Sequence, residues 1–95
     1  MVPAVAAGRS HVYHLYTIQH PKRDALAAYL NANGVQTAIN YPTALPFLPA
    51  YSRLKHVPEQ FPNAFRAQGA ILSLPMFAEI TSEQQNEVIE LIRRF

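Results

Sequence analysis

The sequence predicts an α/β layer of the α+β kind, a small three-stranded sheet with helices packed on one face. Three observations carry this expectation. Short runs rich in β-branched and aromatic residues, at 11–19, 35–40 and 71–75, alternate with runs of helical period. A capping box, Thr81-Ser82-Glu83-Gln84, opens the last helix. The chain has 95 residues, 49% hydrophobic and 15% charged, which suits one domain with a modest core and excludes a disordered tail.

The elements follow in order. Residues 1–10 read as a flexible lead-in, and residues 11–95 as a single domain. HVYHLYTIQ at 11–19 has the composition of a half-buried strand; alternation puts Val12, His14, Tyr16 and Ile18 on one face and Tyr13, Leu15 and Thr17 on the other. Pro21 favours a helix start, and Leu26, Ala27, Tyr29 and Leu30 give a helix over about Lys22 to Asn33, stopped at Asn33-Gly34. VQTAIN at 35–40 alternates with period two, so it is expected to form a second strand. Pro42, Pro46, Pro49, Pro58 and Pro62 forbid a long regular element across 41–62. A short helix is expected at about Pro62 to Gly69 with Phe65 turned inward, then a third strand, ILSLP, ended by Pro75. In the final helix Val88, Ile89, Leu91, Ile92 and Phe95 form an apolar stripe.

Charge and residue usage narrow the function classes. The net charge is +2, from eight Lys plus Arg against six Asp plus Glu, and the sequence pI is about 9.2. The basic residues are scattered, so no field of the kind that holds nucleic acid is expected. Arg93 and Arg94 complement the C-terminal helix dipole, whereas Lys22-Arg23 at a helix start has no comparable electrostatic reason. The chain lacks cysteine, which removes disulfides, thiolate metal ligands and a cysteine nucleophile and fits a reducing compartment. No apolar run approaches the ~18 to 20 residues that span a bilayer, so a cytoplasmic protein without membrane contact is expected.

Catalytic constellations do not emerge from the residues. His11 and His14 fall on opposite faces of a strand and do not suit a shared metal, while His20 and His56 lie beside loops. Asp24 is the only aspartate and sits in a first helical turn. No serine lies in a G-x-S-x-G setting, and Gly8, Gly34 and Gly69 are too dispersed for a phosphate loop. Tyr13 and Tyr16 are expected on opposite faces, so they would not make an RNA-stacking platform. Neither a catalytic nor a metal residue is assigned.

Four blocks in order, HVYHLYTI at 11–18, PKRDALAAYLNANGV at 21–35, TAINYPTALPFLPAY at 37–51 and LSLPMFAEITSEQQNEVIELI at 72–92, resemble the C-terminal small domain of the DegT/DnrJ/EryC1/StrS aminotransferases. The resemblance implies the small domain of a fold-type I enzyme that uses pyridoxal 5′-phosphate (PLP) and acts mainly on keto-sugar nucleotides. In that family a large domain holds PLP on a lysine, and the small domain closes over the substrate. This chain is therefore expected to be a fragment without the PLP-binding domain, holding no cofactor and inactive alone; Lys22 and Lys55 match no PLP-lysine motif. The alternative is a stand-alone ligand-binding or interaction module that reuses the fold.

The family commonly shows His-Tyr-Pro after the second strand and Pro-Leu-His a few residues on. Here those positions are Asn40-Tyr41-Pro42 and Ala44-Leu45-Pro46, so both histidines have been replaced. The resemblance points to Asn40 and Tyr41 as substrate-facing; the competing reading is that Asn40 ends a strand and Tyr41 packs in the core. Removal of a large domain would also uncover apolar surface around Phe47, Leu48, Leu74, Met76 and Phe77, so self-association is expected.

Overall fold

A computed structural model describes all 95 residues. Strand β1 (Tyr16–Gln19) leads into helix α1 (Arg23–Ala32), then an extended stretch and three 3₁₀ turns at Leu45–Phe47, Pro49–Leu54 and Pro58–Gln60. Helix α2 (Pro62–Ala70), strand β2 (Ile71–Leu74) and helix α3 (Ser82–Arg94) complete the chain. Mixed helix and strand is as expected. The sheet, however, has two strands and not three: β1 and β2 pair antiparallel, with Ile18 opposite Leu72.

The expected strand at 35–40 forms a single bridge, in which Ala38 and Ser73 exchange both backbone hydrogen bonds at 3.1 and 2.7 Å. Its side chains still alternate, with Val35 buried, Gln36 exposed and Ile39 half-buried. What fails is the ladder. In an antiparallel register through Ala38 and Ser73, the next hydrogen-bonded pairs would be Gln36 with Pro75 and Asn40 with Ile71. Pro75 has no N–H to donate. At Ile71 the N–H is held by Ala67 O at the end of α2, and the carbonyl accepts from Arg23 Nη1 at 3.0 Å. The lead-in stops on the other edge for the same reason. Met1 and Gln19 exchange bonds at 2.8 and 2.9 Å, and the next such pair would need an N–H from Pro3.

The first strand is also shorter than its composition suggests. Tyr13 has φ +47°, and its N–H is satisfied locally by His11 Nδ1 at 2.7 Å, so alternation is lost before Tyr16 and Val12 is 90% exposed. As a result Tyr13 and Tyr16 do not project from opposite faces: their rings lie 5.5 Å apart. Helix α1 ends in a Schellman motif, with Gly34 at φ +82°, Gly34 N–H on Asn31 O and Val35 N–H on Leu30 O. The α3 capping box forms in both directions, Gln84 N–H to Thr81 Oγ1 at 3.2 Å and Thr81 N–H to Gln84 Oε1 at 3.0 Å.

The core is thin. Ile18, Leu26, Leu30, Val35 and Leu72 are its only buried hydrophobic residues, where α1 lies on the sheet, with Val88, Leu91 and Ile92 of α3 half-buried against them. Helices α2 and α3 have no fully buried residue. Phe65 does not turn into this core: it is 44% exposed and packs edge-on against Phe47 of the proline-rich connection, ring centres 5.5 Å apart. The radius of gyration, 15.5 Å, exceeds the roughly 12 to 13 Å of a compact chain this long.

Candidate functional site

The proline-rich connection folds back over α2 and leaves an open concavity of about 660 Å³ between them. Tyr41, Thr43, Ala44 and Leu45 form one wall; Ala67 and Gln68 of α2 belong to the other. The local sequence explains the wall. Pro42 and Pro46 deny it strand or helix continuity, and the 3₁₀ turn at Leu45–Phe47 closes on Ala44 through Phe47 N–H to Ala44 O at 2.9 Å. The small side chains of Ala64 and Ala67 leave the α2 side open.

Two anchors fix this connection to α2. At its far end Phe47 meets Phe61 and Phe65 edge-on, at 6.4 and 5.5 Å between ring centres. Near Tyr41, Gln68 Oε1 accepts from Ala44 N–H at 2.8 Å. Between Ile39 and Gln60 this is the one hydrogen bond that reaches α2; the others close within the segment or, at Pro58 O, on the adjoining Phe61 N–H.

The two residues singled out by resemblance are placed differently. Tyr41 is 74% exposed and lines the concavity. Asn40 lies beneath: its side-chain Oδ1 is buried and has no hydrogen-bond partner, and the residue is outside the lining set. Sequence reasoning missed Gln68, whose only signal would have been a polar residue on the half-buried side of a helix next to Ala64 and Ala67. It also missed why Arg23 stands at a helix start. Arg23 is only 8% exposed, and its Nε donates to Asp24 Oδ1 at 2.5 Å while Nη1 caps the Ile71 carbonyl, so it ties α1 to β2.

Electrostatically the concavity is neutral. No Lys, Arg, His, Asp or Glu lines it, and its polar groups are the Tyr41 and Thr43 hydroxyls and the Gln68 amide. Such a wall can stack on a ring and hydrogen-bond to hydroxyls, but it has no acid or base suited to proton transfer near neutral pH. It offers no amine to hold an aldehyde cofactor and no carboxylate to face a ring nitrogen; Lys22 and Lys55 are exposed and lie elsewhere. The residues of this chain therefore do not fit PLP. No three His, Asp or Glu side chains converge as a metal site. No helix is long and apolar enough to cross a membrane.

Fold and site together define a mixed helix and strand layer presenting one uncharged concave wall. The profile of the DegT/DnrJ/EryC1/StrS aminotransferase family matches residues 1–93. The chain is 43% identical over its whole length to a pleiotropic regulatory protein of Geobacillus stearothermophilus, covering 26% of that protein. Over 98% of its length it is 35% identical to a UDP-N-acetyl-3-dehydro-α-D-glucosamine 3-aminotransferase of Acidithiobacillus ferrooxidans, covering 25% of it. Among solved structures, DesV of Streptomyces venezuelae, in complex with a ketimine intermediate, superposes with a TM-score of 0.92 at 30% identity, over 98% of this chain and 25% of that one. The chain belongs to the DegT/DnrJ/EryC1/StrS aminotransferase family. It spans about a quarter of the length of these relatives.

Proposed function

We propose that this chain is the C-terminal small domain of a PLP-dependent aminotransferase acting on keto-sugar nucleotides, and that the Tyr41–Leu45 wall is the part of the substrate site it contributes. The observation that carries this reading is the TM-score of 0.92 over 98% of the chain with an aminotransferase structure four times as long, in company with relatives named for nucleotide-sugar amination. The thin core agrees with it. A layer with five buried hydrophobic residues and exposed Leu45, Met76 and Phe77 has apolar surface available for a further domain.

In this reading the cofactor lysine and the groups that move protons come from the larger part of the enzyme. The uncharged wall faces the neutral ring of the substrate, with the exposed Tyr41 side chain as its most accessible element. Alone, the 95-residue chain would be inactive. Its exposed apolar faces would draw it into self-association, read as a concentration-dependent increase in mass by sedimentation; a monomer at high micromolar concentration counts against this. The decisive experiment expresses the chain joined to the remainder of a family enzyme, in place of that enzyme's own small domain, and follows glutamate-dependent amination of a dTDP- or UDP-linked keto sugar. Activity in the joined protein and none in the chain alone is expected. A folded, PLP-loaded chimaera without turnover would overturn the reading.

A further inference from the structure

Tyr41 and Thr43 are held in place by very little of their own. No hydrogen bond runs from Asn40, Tyr41, Pro42 or Thr43 to any other residue, and the single exchange at Ala38 is the last firm backbone attachment before them. After them comes Ala44, whose N–H is held by Gln68 Oε1 at 2.8 Å across the mouth of the concavity. The aromatic anchor at Phe47 is the last residue of the 3₁₀ turn, so it fixes the far end of the wall and not the near one.

We propose that Gln68 is a positioning residue: its side-chain oxygen holds the Tyr41–Ala44 wall at the distance from α2 that a sugar ring requires, so affinity for a nucleotide-linked hexose depends on that oxygen. This rests on the assignment of the concavity as a substrate wall made under Proposed function. The chemistry is specific to the acceptor. A carbonyl or carboxylate oxygen at the end of a four-atom side chain can reach the Ala44 N–H, whereas an apolar side chain of similar bulk cannot. Since Gln68 is half-buried and outside the core, its replacement leaves the β1–β2–α1 packing intact.

The test uses the 95-residue chain, ¹⁵N-labelled, as wild type, Gln68→Leu and Gln68→Glu. Two readouts are taken: exchange of the Ala44 amide without ligand, and the shifts of the Tyr41, Thr43 and Ala44 amides on titration with UDP-N-acetylglucosamine. Loss of one hydrogen bond of ordinary net strength corresponds to about a 3- to 10-fold change in a local equilibrium. Gln68→Leu is expected to speed Ala44 exchange and weaken sugar-nucleotide binding, each by about that factor, and Gln68→Glu, which keeps an acceptor oxygen, to restore slow Ala44 exchange. Unchanged Ala44 exchange in Gln68→Leu overturns the tether. Faster exchange with unaltered affinity overturns the link between tether and ligand. A wild-type chain whose wall amides do not shift, while Ala44 exchange responds to Gln68→Leu, overturns the substrate-wall reading and leaves the tether established.

Discussion

Leu72 is one of the three fully buried leucines at the centre of this small fold. It is fully buried, sits opposite Ile18 in the sheet and shares the core with Leu26 and Leu30 of α1. Leu72→Ala removes three carbons at ~0.8 kcal/mol each, about 2.4 kcal/mol of transfer free energy. A residual cavity brings the loss to about 3 kcal/mol, in the lower half of the ~2 to 5 kcal/mol range for such changes because the half-buried α3 side chains can settle inward. A chain of this length is typically stable by about 5 kcal/mol at the low end, so more than half is removed. Urea unfolding followed by circular dichroism should show the midpoint falling by roughly 2 to 3 M, taking a slope of ~1 kcal/mol/M. Val12→Ala, at a 90% exposed position, serves as the control and should change stability by less than ~0.5 kcal/mol. Equal effects of the two substitutions would refute the placement of the core between α1 and the sheet.

Other consequences can be measured in the same material. Thr81→Ala removes the N-cap acceptor of α3 and should cost about 1 kcal/mol, visible as helix loss near the C-terminus; no change would mean that the cap is not formed in solution. The Glu83 carboxylate is held below its ordinary value near 4.5, first by its own backbone N–H and then by the Thr81 hydroxyl. Because the folded value is the lower one, this contribution is present above pH 4.5 and is lost as pH falls through the folded value. Glu83→Gln should flatten that part of an acid titration of α3, and an unaltered profile would remove Glu83 as its source. Arg23→Met leaves the Ile71 carbonyl without its donor and should destabilise by roughly 1 to 3 kcal/mol, against less than ~1 kcal/mol for Asp24→Asn at an exposed partner; the reverse order would contradict the tie between α1 and β2. Tyr41→Ala should leave stability within ~0.5 kcal/mol while abolishing the ligand-induced shifts at Thr43 and Ala44.

How much could be read in advance depended on the range of the forces involved. Helix α1 with its Gly34 stop, helix α3 with its capping box, and β2 ending before Pro75 were legible, because caps, periodicity and proline act over a few residues. The second expected strand, at 35–40, was misjudged for a non-local reason. VQTAIN carries the right alternation, yet the ladder it would join offers a proline on one side of Ser73 and, on the other, an Ile71 whose N–H is held by the end of α2 and whose carbonyl bonds Arg23. Tyr13 departed from its expected face through one left-handed backbone angle, satisfied locally by His11.

The candidate site divides along the same line. The sequence by itself determined the family resemblance, the proline-rich wall and the replacement of two histidines by Asn40 and Pro46, since each is a matter of residue identity and order. Only the tertiary structure decided that Tyr41 is presented while the Asn40 oxygen is buried, that Arg23 turns inward, and that Gln68 closes the concavity on Ala44. Those outcomes follow from hydrogen bonds spanning 24 residues between Ala44 and Gln68 and 48 between Arg23 and Ile71. Local composition carries no record of which distant donor will meet which acceptor, so these pairings become visible only once the chain has folded.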